Sequence, residues 1–329
     1  MNSDTLPQLV PPAEPAFLQR LKDRNDRYAE TAKAANTKKA YASDFADFKS
    51  WCDSQDIPLP SLPATPDCVG AYLAELAEEN YKIATIQRRI ASISHSHKKH
   101  GYETPTTSHR VREIMQSIRR MYAPQQTVRK VRPVVTGILA RMVEPLSGSL
   151  IDVRDRALLL IGFAGAFRRS ELAELRYTDI TEVEDGLRIV LRRSKTDQEG
   201  KGIVKGIAYG NDEKTCPVRA WKAWVEAACI ADGQAFRSLG MAKEPKIGRS
   251  LSDQRIACMI KRRAKAVGFD PAQFSGHSLR SGLITAAAQA GENERDIMRQ
   301  SGHKHLPTLR GYIHEGSLFT NNVSAKVGL

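Results

Sequence analysis

The sequence predicts a mainly α-helical protein of two domains, with one small β-hairpin or sheet in the second. Three observations carry this. The chain has 329 residues, 41% of them hydrophobic, which is enough for about two domains with real cores. Apolar residues recur at three- and four-residue spacing through most of its length. One stretch instead alternates apolar and polar residues around a polar, glycine-containing centre: GLRIVLRRSKTDQEGKGIVKGIAY, residues 186–209, a hairpin pattern.

Taken in order, residues 1–15 hold four prolines and no apolar period, which predicts a disordered tail. A helical N-terminal domain is expected over 16–122. Its first helix runs from about 16 to 34. The next starts near Asn36 or Thr37, either of which can cap it, and carries Tyr41, Phe45, Phe48 and Trp51 on one face. The proline-rich segment 57–66 leads to a helix over 66–79, with Val69, Tyr72, Leu73 and Leu76 together. The helix over 83–100 turns Ile86, Ile90 and Ile93 inward and leaves Gln87, Arg88, Arg89, Lys98 and Lys99 on polar faces. A last helix spans 107–121. Residues 123–135, with two prolines and the cations Arg129, Lys130 and Arg132, read as a basic interdomain linker. The second domain occupies 136–329. Helices are expected there at 136–146, 151–165 and 169–176, then the hairpin, then helices at 217–232, 252–267, 278–291, 293–301 and 306–313. No internal repeat is present.

Lysine and arginine number 50 and aspartate and glutamate 37, a net charge of +13 that suggests a polyanionic partner. The excess is local. Residues 1–79 carry 8 basic and 13 acidic residues, whereas 80–132 carry 12 basic and 2 acidic. A basic helix running into a basic linker favours a nucleic-acid face over a merely solvated one. Five cysteines, at 52, 68, 216, 229 and 258, form no C-x-x-C pair, which fits reduced thiols and a cytoplasmic setting. The N-terminus lacks a signal-peptide pattern, and the strongest apolar run, 157–167, is too short for a bilayer. No membrane partner is expected.

The chemistry-bearing residues cluster late in the chain. They are an arginine in FRRSEL (167–172), a lysine in SKT (194–196), HSLR (277–280), and a Gly-His pair nine residues before a tyrosine in GHKHLPTLRGY (302–312). A phosphodiester resists attack because its charge repels nucleophiles and its alkoxide leaves poorly. Without a metal, an enzyme must supply cations, a nucleophile and an acid. Tyr312 is the candidate nucleophile. Arg168 and Arg280 are candidate phosphate clamps, since guanidinium can bind two oxygens at once. Arg169 is a rival by register, and Arg168 is favoured because Glu171 and Leu172 then complete R-x-x-E-L. His277 and Arg280, three apart, can share one face of a helix start. Lys195, near the hairpin tip, is a candidate proton donor, with Lys201 and Lys205 as alternatives if the register shifts. His303 is favoured over His305 by its distance from Tyr312. Histidines 303, 305 and 314 raise a metal site, which is disfavoured because no Cys/His/carboxylate set accompanies them.

In this order and spacing, these motifs resemble the tyrosine recombinases of the phage integrase family, and the chain is most similar to the Cre-type members. SGHSLRSGLITAAAQAGENERDIMRQSGH, 275–303, carries the strongest likeness. TIQRRIASISHSHKKHG, 85–101, resembles the DNA-reading helix of the N-terminal domain. The resemblance covers about residues 20–320. It implies a two-domain, C-shaped clamp on double-stranded DNA bearing an inverted-repeat site, acting as a homotetramer without metal or ATP. It implies that Arg168, Lys195, His277, Arg280 and His303 surround the scissile phosphate and that Tyr312 forms a 3′-phosphotyrosine bond. Glu171 would support the site, Lys195 would be the general acid and His277 the general base. DNA contacts are expected from Gln87, Arg88 and Arg89, from Lys38 and Lys39, from the linker cations Arg129, Lys130 and Arg132, and from Arg255. Two rival readings stand beside this one. One is a type IB topoisomerase-like or hairpin-forming enzyme with the same chemistry. The other is a sequence-specific DNA-binding protein whose catalysis has lapsed.

Overall fold

The computed structural model describes residues 17–18, 20–21, 24–25, 28, 35–126, 131–146, 148–192, 202–240, 242, 246–303 and 305–316. The chain divides into two compact units, Met1–Val128 and Arg129–Leu329.

The first unit contains helices α1 (Ala35–Asp53), α2 (Pro66–Glu78), α3 (Ile83–Lys99) and α4 (His109–Tyr122). Two start on side-chain caps. Thr65 Oγ1 accepts the Cys68 N–H at 3.2 Å, with Pro66 at the first helical position, and Ser108 Oγ accepts the Val111 N–H at 3.2 Å. Helix α1 packs on α3 and α2 on α4 around Phe48, Tyr72, Leu73, Ile86 and Ile93. The Phe48 and Tyr72 rings lie 5.0 Å apart and Trp51 and Tyr72 5.2 Å apart. His97 is a satisfied core histidine: Nε2 accepts the Ala64 N–H at 2.9 Å, which leaves Nδ1 to donate to the Ile93 carbonyl at 2.8 Å. Of the helix expected over 16–34, only residues 17, 18, 20, 21, 24, 25 and 28 are described, and all are helical.

The second unit contains α5 (Thr136–Val143), α6 (Leu150–Ala164), α7 (Arg169–Glu174), strands β1 (Ile180–Val183), β2 (Gly186–Leu191) and β3 (Ile203–Ala208), then α8 (Pro217–Ala227), α9 (Asp253–Ala266), α10 (Ser278–Gln289), α11 (Glu294–Ser301) and α12 (Leu306–Gly316). The C-terminal half of helix α6 is apolar all round, with Ala157, Leu158, Leu159, Leu160 and Ile161 buried in succession, and α8 and α10 flank the helix. Helix α10 passes the main chain so closely that a Cβ on Gly282 would come within 2.1 Å of the Val134 carbonyl oxygen. Among the described residues no helix is long and apolar enough to cross a membrane.

The expected hairpin is β2 and β3, paired antiparallel from Gly186↔Ala208 to Leu191↔Ile203. Strand β1 adds a third strand on the far side of β2, so the sheet order is β1-β2-β3. Sequence reading missed β1 because only Ile180 of its four residues is buried, which leaves no alternation to detect. Helix α8 stops at Ala227, short of the expected 232, because Cys229 adopts φ 47° and turns the chain. Helices α10 to α12 build a small cluster of their own around Ile284, Ala288, Ile297 and Leu309, with Tyr312 and Ile313 packed against it.

Candidate active site

Helix α6 ends in a tight C-terminal turn. The Ala166 N–H donates to the Phe163 carbonyl at 2.9 Å and the Phe167 N–H to the Gly162 carbonyl at 3.1 Å, with Ala166 at φ 47°. This turn delivers Arg168 to the start of α7. There Glu171 holds it twice: Oε2 accepts the Arg168 N–H at 2.9 Å and Oε1 accepts from Nη1 at 2.6 Å. The carboxylate is buried and the guanidinium one-fifth exposed, so the arginine is fixed yet still reachable. Arg169 leaves the cluster and pairs with Asp253 at 3.1 Å. The two adjacent arginines therefore take separate partners, with Arg168 in the site.

His277 sits at the N-terminus of α10 and Arg280 follows one turn later. The Arg280 side chain is almost wholly buried. Its Nη1 donates to the Ala166 carbonyl at 2.7 Å, and its Nη2 lies 3.3 Å from both ring nitrogens of His303. Gly302 terminates α11 in the left-handed region, at φ 68°, and so turns His303 back toward α10. Ser301 Oγ, 2.8 Å from His303 Nδ1, braces the ring. Leu309 anchors α12 in the cluster under α10, and Tyr312 stands three residues further along. Its hydroxyl lies 3.0 Å from His277 Nε2, and its ring centroid is 6.2 Å from that of His303.

Charge in this cluster is one-sided. Arg168, Arg280 and Lys205 face one carboxylate, Glu171. Burial, then the Arg280 and Arg168 cations, push His277 below the ordinary histidine value and push His303 down to about 4. Burial, then Arg168, lowers Arg280 to about 10. Both histidines are thus neutral near pH 7. A neutral His277 can take a proton from the Tyr312 hydroxyl, and a neutral His303 can offer one N–H. The guanidiniums converge where an anion would offset their mutual repulsion.

The structure brings Arg168, Glu171, His277, Arg280, His303 and Tyr312 together. Lys195 and Lys201 lie outside the described residues, as do Arg129 and Lys130. Lys205 is buried against the turn that precedes Arg168, a placement sequence reading did not anticipate. The available signal was its register: Ile203, Lys205 and Ile207 share one strand face, which puts a lysine where alternation calls for an apolar residue. His305 is exposed and stands apart. Among the described residues no three His, Cys, Asp or Glu side chains are grouped to hold a metal.

In the first unit Lys38, Lys39 and Gln87 are exposed. Arg88 is half exposed, with Nε and Nη2 donating to Asp44 at 2.7 and 2.9 Å. Arg89 corrects the expectation of a surface base contact. It is 8% exposed, bonded to Asp47 and the Tyr72 hydroxyl, with its guanidinium 4.7 Å from the Tyr81 ring centroid. The cause is helical phase: position 89 lies three after Ile86 and four before Ile93, on the buried stripe. In the second unit Arg132 is exposed over the Phe269 ring at 5.0 Å, and Arg255 is exposed in the first turn of α9.

Residues 138–317 match the Phage integrase family, and residues 26–99 match the Phage integrase N-terminal SAM-like domain. The chain belongs to the phage integrase family. It is a tyrosine recombinase, an enzyme of site-specific DNA cleavage and rejoining. An integrase/recombinase XerD homolog from Selenomonas ruminantium is 37% identical over 312 residues, covering 92% of this recombinase and 89% of the relative. The Cre recombinase of Escherichia phage P1 is 24% identical over 269 residues, covering 77% of this chain and 76% of its own. Among solved structures, XerH bound to a palindromic difH substrate superposes with TM-score 0.60 at 15% identity, covering 89% of this chain and 79% of that one. A lambda integrase tetramer on a Holliday junction gives TM-score 0.56 at 19% identity, covering 90% and 76%. Both share the recombinase's fold.

Proposed function

We propose that this recombinase cuts DNA by attack of Tyr312 on a phosphate held by Arg168 and Arg280, leaving a 3′-phosphotyrosine bond. The observation that carries the reading is the 3.0 Å contact between the Tyr312 hydroxyl and a histidine kept neutral by its surroundings. His277 accepts the tyrosine proton as the phosphate–oxygen bond forms. The two guanidiniums, with the His303 N–H, meet the negative charge that grows on the non-bridging oxygens. The Arg280 Nε is buried without an acceptor among the described residues, and a phosphate oxygen would satisfy it. Glu171 keeps Arg168 aimed. Lys195 protonates the departing 5′ oxygen. Rejoining reverses these transfers with a new 5′ hydroxyl. Because the phosphotyrosine conserves the bond energy, no ATP or metal is required.

The substrate is double-stranded DNA with an inverted-repeat site, bound by four copies of the chain in the cytoplasm. The lambda integrase tetramer on a junction and XerH on a palindromic site support that assembly. Exposed cations at Lys38, Lys39, Arg132 and Arg255 would contact phosphates or base edges, and Gln87 and Arg88 would read bases. The test is a covalent-adduct assay in EDTA with DNA selected by the protein from a random pool. An adduct made by the wild type and lost in Tyr312→Phe is expected. An adduct that persists in the variant would overturn the nucleophile.

A further inference from the structure

The turn that presents Arg168 is gripped from three sides. Its successive carbonyls at 164, 165 and 166 each accept from a different element. Gln300 Nε2 of α11 donates to Ala164 at 2.7 Å, Lys205 Nζ of β3 to Gly165 at 2.6 Å, and Arg280 Nη1 of α10 to Ala166 at 2.7 Å. Lys205 does more than hold the turn. The same ammonium donates at 2.6 Å to the main-chain carbonyl of Gln300, three residues before His303. It lies 5.1 Å from the centroid of the Phe167 ring and is 3% exposed.

From this geometry, and building on the proposed site, we infer that Lys205 is a positioning residue. One buried ammonium ties the turn bearing Arg168 to the end of the helix that presents His303, and so fixes the spacing of the phosphate-binding groups. Three features support the role. A lysine is costly to bury, so its place on an inward strand face needs a compensating job. Burial lowers it to about 8, with Glu171 opposing the fall and Arg280 and Arg168 adding to it, so near neutral pH it remains a cation. Its acceptors, the Gly165 and Gln300 carbonyls, are main-chain oxygens at the edges of the site.

The test must separate positioning from proton donation. The probe is a duplex selected by the wild type from a random pool, its cleavage position mapped through the Tyr312 adduct. It is then made with an ordinary phosphate or a 5′-bridging phosphorothiolate at that position. Single-turnover adduct formation is followed for wild type, Lys205→Met and Lys205→Arg, with DNA affinity measured separately. If Lys205 positions, Lys205→Met binds DNA normally but forms adduct roughly 10²-fold more slowly on both substrates. Lys205→Arg, which keeps charge and donors, recovers most of the rate on both. Wild-type rates for Lys205→Met would overturn the inference. So would a Lys205→Arg enzyme slow on ordinary DNA and rescued by the phosphorothiolate, since that pattern marks a proton donor. The second criterion holds even if Lys205→Met does not fold. No adduct from the wild type, or an adduct from Tyr312→Phe, would instead strike the proposed function beneath it.

Discussion

His277 and Tyr312 stand 35 positions apart in sequence and 3.0 Å apart in space, Nε2 to hydroxyl. Since surrounding burial and cations hold His277 below 6.5, its proton-accepting form persists below the ordinary histidine range. At limiting DNA, the second-order rate of adduct formation should therefore hold as the pH drops below neutrality and show its acid limb below the ordinary histidine range. His277→Gln should reduce the rate by about 10²-fold and flatten that acid limb. A limb unchanged in the variant would remove His277 from the role.

His303 links acidity to stability. It is neutral in the folded protein down to about 4, whereas an unfolded histidine protonates near 6.5. The unfolded state thus binds more protons between those values, and stability falls as pH drops through that window. The loss should be about 1–2 kcal/mol after allowance for solvent screening. Melting curves of wild type and His303→Gln between pH 7 and 4 would check it, with a shallower slope expected for the variant.

Glu171 is the carboxylate among the site's cations. Glu171→Gln should cost about 2–3 kcal/mol of stability and cut adduct formation by about 10²-fold. Added inorganic phosphate should return part of the lost stability, because an anion would then supply the missing countercharge. Thermal melting with and without phosphate reads this directly.

Adjacent arginines on α3 should differ in their effect on DNA binding. Arg89→Ala removes a buried side chain bonded to Asp47 and the Tyr72 hydroxyl, which then keep only each other, and should cost about 2–3 kcal/mol of folding stability with little change in DNA binding. Arg88→Ala leaves the buried Asp44 carboxylate without its bidentate donor, so it should cost about 1–2 kcal/mol of stability and also weaken DNA binding and reduce its salt dependence. Denaturant melts and binding titrations at several salt concentrations would separate the two.

Ala166 occupies a left-handed position that glycine adopts without strain. Ala166→Gly should stabilise the protein by about 1 kcal/mol. The melting midpoint would show it.

Much of this was legible in the chain, and the illegible parts have physical reasons. The order of Arg168, His277, Arg280, His303 and Tyr312 identified the chemistry because each residue type has one job on a phosphate. Helical phasing located α1, α2 and α3 through their aromatic and isoleucine stripes. The same phasing, applied to charged side chains, would have placed Arg89 inside; reading QRR as one polar run hid it. Strand β1 was too short and too exposed to alternate. Lys205 was legible as a misplaced cation in IVKGIA, but its acceptors are backbone oxygens, which no side-chain pattern announces.

That last point bears on how such a site can change over generations. A salt bridge broken at one end can be repaired by altering the other. The grip on the 164–166 turn has no such second chance, because the oxygens it uses are present whatever residues stand there. Loss of Lys205, Gln300 or Arg280 therefore cannot be compensated at the turn. DNA-facing side chains are under no comparable restriction, so new target sequences can be acquired on the outside of a frame whose inner fastening is closed to revision.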